Sequence, residues 1–182
     1  MLERPTGADT LAERLRSLIR VIPDFPRKGI VFRDITTLLS DAAAFRAAID
    51  ALADAHRDAG VEVVVGVESR GLILGGALAY VLGTGFVPVR KQGRLPARTI
   101  SAAYALEYGE AVLEVHADAI HPGQRVLIVD DLLATGGTAR ATADLVERLG
   151  GQVVGIAFLI ELADLGGAQA LGERHHVSLV RF

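Results

Sequence analysis

The chain has 182 residues with 51% apolar and 23% charged content, which suits one soluble globular domain, 1–182, with a full core. A net charge of −3 gives no reason to expect bulk nucleic-acid binding, and the absence of cysteine excludes disulfides and thiolate metal sites. No apolar run reaches membrane-spanning length and no leader-like stretch opens the chain, so the sequence reads as cytoplasmic, with no membrane partner.

Asp9 is an expected helix cap, and Leu11, Leu15, Leu18, Ile19 and Ile22 follow on one helical face until Pro23 and Pro26 stop it. A stiff loop runs through Gly29, then a short apolar run, Ile30–Phe32, leads into Arg33-Asp34-Ile35. Ser40 or Asp41 caps a second helix with Phe45, Ile49, Leu52, Ala53 and His56 inward, closed by Gly60. Val61–Val67 is a strand, with Val63-Val64-Val65 buried on both faces. Glu68-Ser69-Arg70-Gly71 follows, then an apolar helix, Leu72–Leu82, with Gly75-Gly76 for close packing.

Gly85–Val89 is a further strand, which Pro88 would place at a sheet edge. Arg90-Lys91-Gln92-Gly93-Arg94-Leu95-Pro96-Ala97-Arg98 is rich in cations and has no acid, so it is either a solvated basic loop or a polyanion clamp. Tyr104–Val115 reads as a hairpin turning at Gly109-Glu110, and His121-Pro122-Gly123 as a turn. Gln152–Leu159 is a buried strand ending in Ile160-Glu161-Leu162, Gly166-Gly167 leads to a short helix, and Val177–Val180 is a last strand. His175-His176 is not at metal-ligand spacing and reads as solvent-facing.

The most informative stretch is Val126-Leu127-Ile128-Val129-Asp130-Asp131-Leu132-Leu133-Ala134-Thr135-Gly136-Gly137-Thr138. An apolar strand ends in two carboxylates, a small-residue turn follows, and Thr138, Ala141, Leu145 and Leu149 recur at helical spacing, so a helix opens near Gly136. Unpartnered N–H groups and the positive end of the helix dipole make such a turn a phosphate cradle. Gly136 and Gly137 let the backbone come close, and the hydroxyls of Thr135 and Thr138 can donate. The turn lacks the glycine and lysine spacing of a P-loop and of a dinucleotide fold. Carboxylates beside a phosphate need sugar hydroxyls or a metal ion between them, so a phosphorylated ribose suits the pair.

Val129–Thr138 resembles the 5-phosphoribosyl-1-pyrophosphate (PRPP) signature of type I phosphoribosyltransferases, in the form used by the adenine-specific branch. The resemblance runs in order from Pro23 to Leu162 and is weak over the first two dozen residues. It implies an α/β fold: an open, twisted, mainly parallel sheet flanked by helices, with a small N-terminal hood (about 1–36) and a mobile hairpin loop (about 91–116). It implies purine salvage: transfer of the 5-phosphoribosyl group from PRPP to adenine, giving AMP and pyrophosphate. Alternatives are another base (xanthine, hypoxanthine or orotate) or a PRPP-sensing regulator.

By the same resemblance Ala134, Thr135, Gly136, Gly137 and Thr138 hold the 5-phosphate, and Glu68, Ser69, Arg70 and Gly71 form the pyrophosphate loop. Arg90, Lys91 and Arg94 belong to the pyrophosphate site, with Arg90 and Lys91 at a homodimer contact. Val31, Phe32, Arg33 and Leu162 bind adenine, Phe32 by stacking. Glu107 is the acid/base at the purine, Tyr108 orders the closed loop, and Asp130 and Asp131 grip the ribose. The implied cofactor is Mg²⁺, held mainly by PRPP and water rather than by dedicated protein ligands.

Overall fold

The structure, a computed structural model, describes residues 10–106 and 109–182. Its backbone divides into two units, one ending at Ala48 and one running Ile49–Phe182.

The first unit opens with α1 (Leu11–Ser17). Its cap is Thr10, not the expected Asp9, which lies outside the described residues. Thr10 Oγ1 accepts from Glu13 N at 3.3 Å, and Glu13 Oε2 accepts from Thr10 N at 2.7 Å, a reciprocal capping box. The helix does not reach Ile22. Arg20–Pro23 is β1, antiparallel to β2 (Val31–Asp34), with Ile22 opposite Phe32. Pro23 biases the residue before it toward extended backbone, and β2 supplies the partner that makes that conformation worthwhile. The loop between them is closed by Asp24, whose carboxylate accepts from Gly29 N at 2.7 Å. A short α2 (Thr36–Ser40) follows, with Thr36 N and Oγ1 donating to the Asp34 carboxylate. In α3 (Ala42–His56), which contains the boundary between the units, Ala44 N donates to Asp41 Oδ1 at 2.8 Å, so Asp41 rather than Ser40 is the cap.

The second unit is built on β3 (Val63–Val67), α4 (Arg70–Leu82), β4 (Gly85–Lys91), β5 (Thr99–Leu106) and β6 (Gly109–His116). It continues with β7 (Arg125–Leu133), α5 (Gly137–Arg148), β8 (Gln152–Glu161), α6 (Gly167–Ala170) and β9 (His176–Arg181). The strands form one seven-stranded sheet, β5-β6-β4-β3-β7-β8-β9. The five from β4 to β9 are mutually parallel, and the β5–β6 hairpin adds the antiparallel side. This is the expected open, mainly parallel sheet of the type I phosphoribosyltransferase fold. Among the described residues no helix is long and apolar enough to cross a membrane.

β3 is buried throughout, as its run of valines requires of a central parallel strand. Val65, Val67, Ile128, Leu145, Val146 and Phe158 sit in one cluster with it, each contributing roughly 1.5–3 kcal/mol on burial. That anchors the strands along their length and leaves their C-terminal ends free to carry polar groups.

Two expectations are corrected. Pro88 does not mark an edge: β4 lies between β3 and β6. Glu68 N donates to Val89 O at 2.9 Å, so Val89 faces β3 and its neighbour Pro88 faces the other way. There β6 pairs only with Arg90 and Lys91, so the missing N–H of Pro88 falls where no ladder bond is required. The hairpin does not turn at Gly109-Glu110. These open β6, with Gly109 opposite Leu106. Of the Gly75-Gly76 pair only Gly75 is tightly packed: a Cβ there would come within 2.8 Å of the Phe86 ring, whereas at Gly76 it would meet nothing within 4 Å.

Candidate active site

The turn after β7 is Ala134–Gly136, and Gly136 caps α5 at φ +81°. A Cβ at Gly136 would lie 2.7 Å from Gly167 O and 2.8 Å from Ala170 Cβ, so both conformation and space demand glycine. The first bond of the helix is Arg140 N to Gly136 O at 2.9 Å, which leaves the N–H groups of Gly137, Thr138 and Ala139 ahead of the ladder. They border an open depression with about 290 Å³ of empty space, lined also by Asp130, Leu132, Thr135 and Phe158. Unspent donors at the positive end of a twelve-residue helix, with a threonine on each side, suit a dianionic phosphate.

β7 continues past Val129 through both carboxylates, so Asp130 and Asp131 are strand residues, buried at 8% and 7% exposure. They serve different neighbours. Asp130 lines the depression and accepts from Asp131 N at 2.8 Å. Burial, and then the charge of Asp131 beside it, push the Asp130 carboxyl well above its ordinary range. Asp131 Oδ2 accepts from Arg70 Nε at 2.5 Å, in an ion pair reaching from the first residue of α4. Gly71 allows this approach: a Cβ there would lie 2.8 Å from both Asp130 Oδ1 and Val129 O.

The turn after β3 therefore stands beside the turn after β7, because β3 and β7 are hydrogen-bonded parallel neighbours. It is differently made. The Glu68–Ser69 peptide is cis, and Ser69 caps α4 without a side-chain bond. The Glu68 carboxylate accepts from Arg90 Nε at 3.1 Å and Lys91 N at 3.0 Å, and its pKa is lowered, first by the Lys91 N–H. Arg90 and Lys91 are thereby held over the same turn as Arg70. Arg94 lies farther along the loop, and its N–H is bound by Glu114.

In the first unit Phe32 is half-buried, with its ring edge-on to Phe25 at 5.1 Å, and Val31 is 48% exposed. Neither is a plain core residue. In the second unit Leu162, also half-buried, follows β8 and donates its N–H to Leu133 O at 2.9 Å, at the edge where β7 ends. Glu107 and Tyr108 lie outside the described residues. Glu114, not foreseen from sequence, is buried in β6 and bonded to the basic loop; its only signal was an acid in the strand that follows a stretch with none.

Residues 34–178 match the phosphoribosyl transferase domain family, the class to which this sheet belongs. The adenine phosphoribosyltransferase of Dinoroseobacter shibae is 58% identical over 164 residues, covering 90% of this chain and 92% of the relative. That of Paracoccus denitrificans is 57% identical over 178 residues, covering 97% and 95%. The crystal structure of adenine phosphoribosyltransferase from Thermoanaerobacter pseudethanolicus superposes with a TM-score of 0.92 at 54% identity, covering 95% of this chain and 100% of that one. This chain belongs to the adenine phosphoribosyltransferase family.

Proposed function

We propose that this chain transfers the 5-phosphoribosyl group of PRPP to adenine, releasing AMP and pyrophosphate, in purine salvage. The observation that carries the reading is the pair of adjacent strand–turn–helix units joined by the Arg70–Asp131 ion pair. One suits the 5-phosphate and the other the pyrophosphate, with two carboxylates between them. Ala134–Thr138 receive the 5-phosphate. Glu68–Gly71, with Arg90, Lys91 and Arg94, receive the pyrophosphate, the arginines by charge-assisted bonds.

As the bond from C1 of the ribose to pyrophosphate lengthens, positive charge grows on the sugar and negative charge on the leaving group. Arg70, Arg90 and Lys91 stabilise the second. Asp130 and Asp131 stabilise the first while accepting from the ribose hydroxyls. Phe32 stacks on the adenine, the backbone of Val31 and Arg33 bonds its edge, and Leu162 contacts its face. Glu107 manages the purine proton and Tyr108 orders loop closure over the site.

Mg²⁺ is the proposed cofactor. The ion would be held mainly by PRPP and water. Asp130 and Asp131 would meet it through its waters, and the ion would supply charge neutralisation on the leaving group. The exposed apolar side chains of α4, Ile73, Tyr80 and Val81, support a homodimer, and sedimentation at micromolar concentration tests it. The compartment proposed is the cytoplasm.

The test is release of labelled AMP from labelled adenine. AMP is expected only with both PRPP and Mg²⁺, and far more slowly from hypoxanthine, xanthine or orotate as base. No AMP under any condition would end the catalytic reading. In the same assay Glu107→Gln should lower turnover by about 100-fold with PRPP binding little changed; equal losses in both would remove the acid/base role.

A further inference from the structure

Across antiparallel strands, Arg90 of β4 stands directly opposite Glu114 of β6. Residues so placed ordinarily pair. Here they do not. Arg90 Nε donates to Glu68, and the Glu114 carboxylate, 5% exposed, turns to the backbone of the loop between β4 and β5. Its Oε1 accepts from both Arg94 N and Leu95 N at 3.0 Å, and its Oε2 accepts from Thr99 Oγ1 at 3.5 Å. Burial alone would raise its pKa, but the N–H groups of Leu95, Gly93 and Arg94 outweigh that and hold it low, so the group is a stable anion. Among the described residues Lys91, Arg94 and Arg98 make no ion pair. A buried acid is thus spent on fixing the loop's main chain while the loop's own cations stay available.

We propose that Glu114 is a positioning residue for the pyrophosphate group: by gripping the backbone at Arg94 and Leu95 it pre-sets the 91–98 loop, so that Lys91, Arg94 and Arg98 meet a polyanion without first being ordered. This rests on the reading of the basic loop as part of the PRPP site. It differs from a direct contact, because Glu114 is itself an anion and would repel the ligand if it faced it.

The test compares Glu114→Ala, Glu114→Asp and Glu114→Gln with Lys91→Ala and the Lys91→Ala/Arg94→Ala double variant, using inorganic pyrophosphate as a product inhibitor. Glu114→Ala is expected to raise the KM for PRPP and the inhibition constant of pyrophosphate by about tenfold, with the KM for adenine within about twofold. Glu114→Asp keeps the charge but is one carbon too short to reach, and should do the same. Glu114→Gln keeps an oxygen acceptor and should return both values to within about threefold of the parent. If Glu114→Gln loses as much as Glu114→Ala, or if the Ala and Asp variants weaken adenine and PRPP equally as their melting temperatures fall, the inference is overturned. If Lys91→Ala weakens pyrophosphate but no Glu114 variant does, the inference alone falls. If the Lys91→Ala/Arg94→Ala double variant leaves PRPP and pyrophosphate unaffected, the basic-loop reading falls with it.

Discussion

The turns after β3 and β7 sit side by side on one sheet yet present charge in opposite styles. The turn after β7 offers backbone donors and small residues, with its geometry enforced by Gly136. The turn after β3 offers side-chain charge already engaged, Arg70 with Asp131 and Arg90 with Glu68. A backbone cradle tolerates loss of any one hydroxyl but not a change of main-chain shape. A side-chain cradle holds its shape but responds to each charge removed. Ground-state pairing in the second also offsets the mutual repulsion of its cations.

The sharpest way to break this contrast is Gly136→Ala. A Cβ would meet Gly167 O at 2.7 Å, at a φ that alanine adopts at a cost of about 1–3 kcal/mol. It should lower kcat/KM for PRPP by more than about 100-fold and reduce the melting temperature. Thr135→Ala, which deletes one exposed hydroxyl, should cost only about tenfold or less. Equal effects would mean that hydroxyls, not main chain, carry the phosphate.

Next in size is Asp131→Asn, which removes the negative charge that Arg70 Nε meets and should lower turnover by about 100-fold with the fold intact. Arg70→Gln should raise the pyrophosphate inhibition constant by about tenfold while leaving inhibition by ribose 5-phosphate nearly unchanged. Loss of both inhibitors alike would erase the division between the turns.

Asp130→Asn separates catalysis from stability. Its carboxyl is pushed well above the ordinary 3.8 in the folded chain, so its own contribution to stability is full at low pH and is lost as pH rises from there through the folded value. The asparagine variant escapes that decline. Its melting temperature should match or exceed the parent's at neutral pH, with the gap closing toward pH 4, although its turnover is lower. Thermal melts across pH decide this.

The smallest effect belongs to a region outside both turns. His56 is buried, donates from Nδ1 to Leu52 O at 2.8 Å, and lies with its ring centroid 6.0 Å from that of His175. Burial first, and then His175, depress its pKa, so its stabilising neutral state is lost as pH falls through and below 6.5. His56→Gln should flatten the stability profile between about pH 6.5 and 5 without altering turnover at pH 8.

The runs of valine in β3 and the Val126–Val129 segment of β7 announced central strands, and the Thr-Gly-Gly turn announced a helix start near Gly136, because burial and backbone approach restrict residue type directly. Other features depend on partners distant in sequence. Ile22 fits a helical period as well as a strand, and only β2 decides between them. Pro88 signals a missing donor, not an edge, and the sheet hides the difference by starting its β6 pairing at Arg90. The roles of Glu68 and Glu114 as holders of the basic loop rest on bonds spanning some 20 residues, which no local pattern encodes. His175 looked solvent-facing and is exposed, yet its ring neighbours one of the most buried side chains.

The Phe86 ring fills the space left by two absent side chains, approaching the Cβ positions of Gly66 and Gly75 to 2.7 and 2.8 Å. Those three sites therefore behave as a single lock. Enlarging Gly75 becomes tolerable only when the aromatic is trimmed in the same molecule, so each single change there is harmful where the right double change is milder, whereas at Gly66 the Gly71 carbonyl, 2.8 Å away, still opposes a Cβ. Diversity at the root of the Arg70 helix must be inherited in pairs.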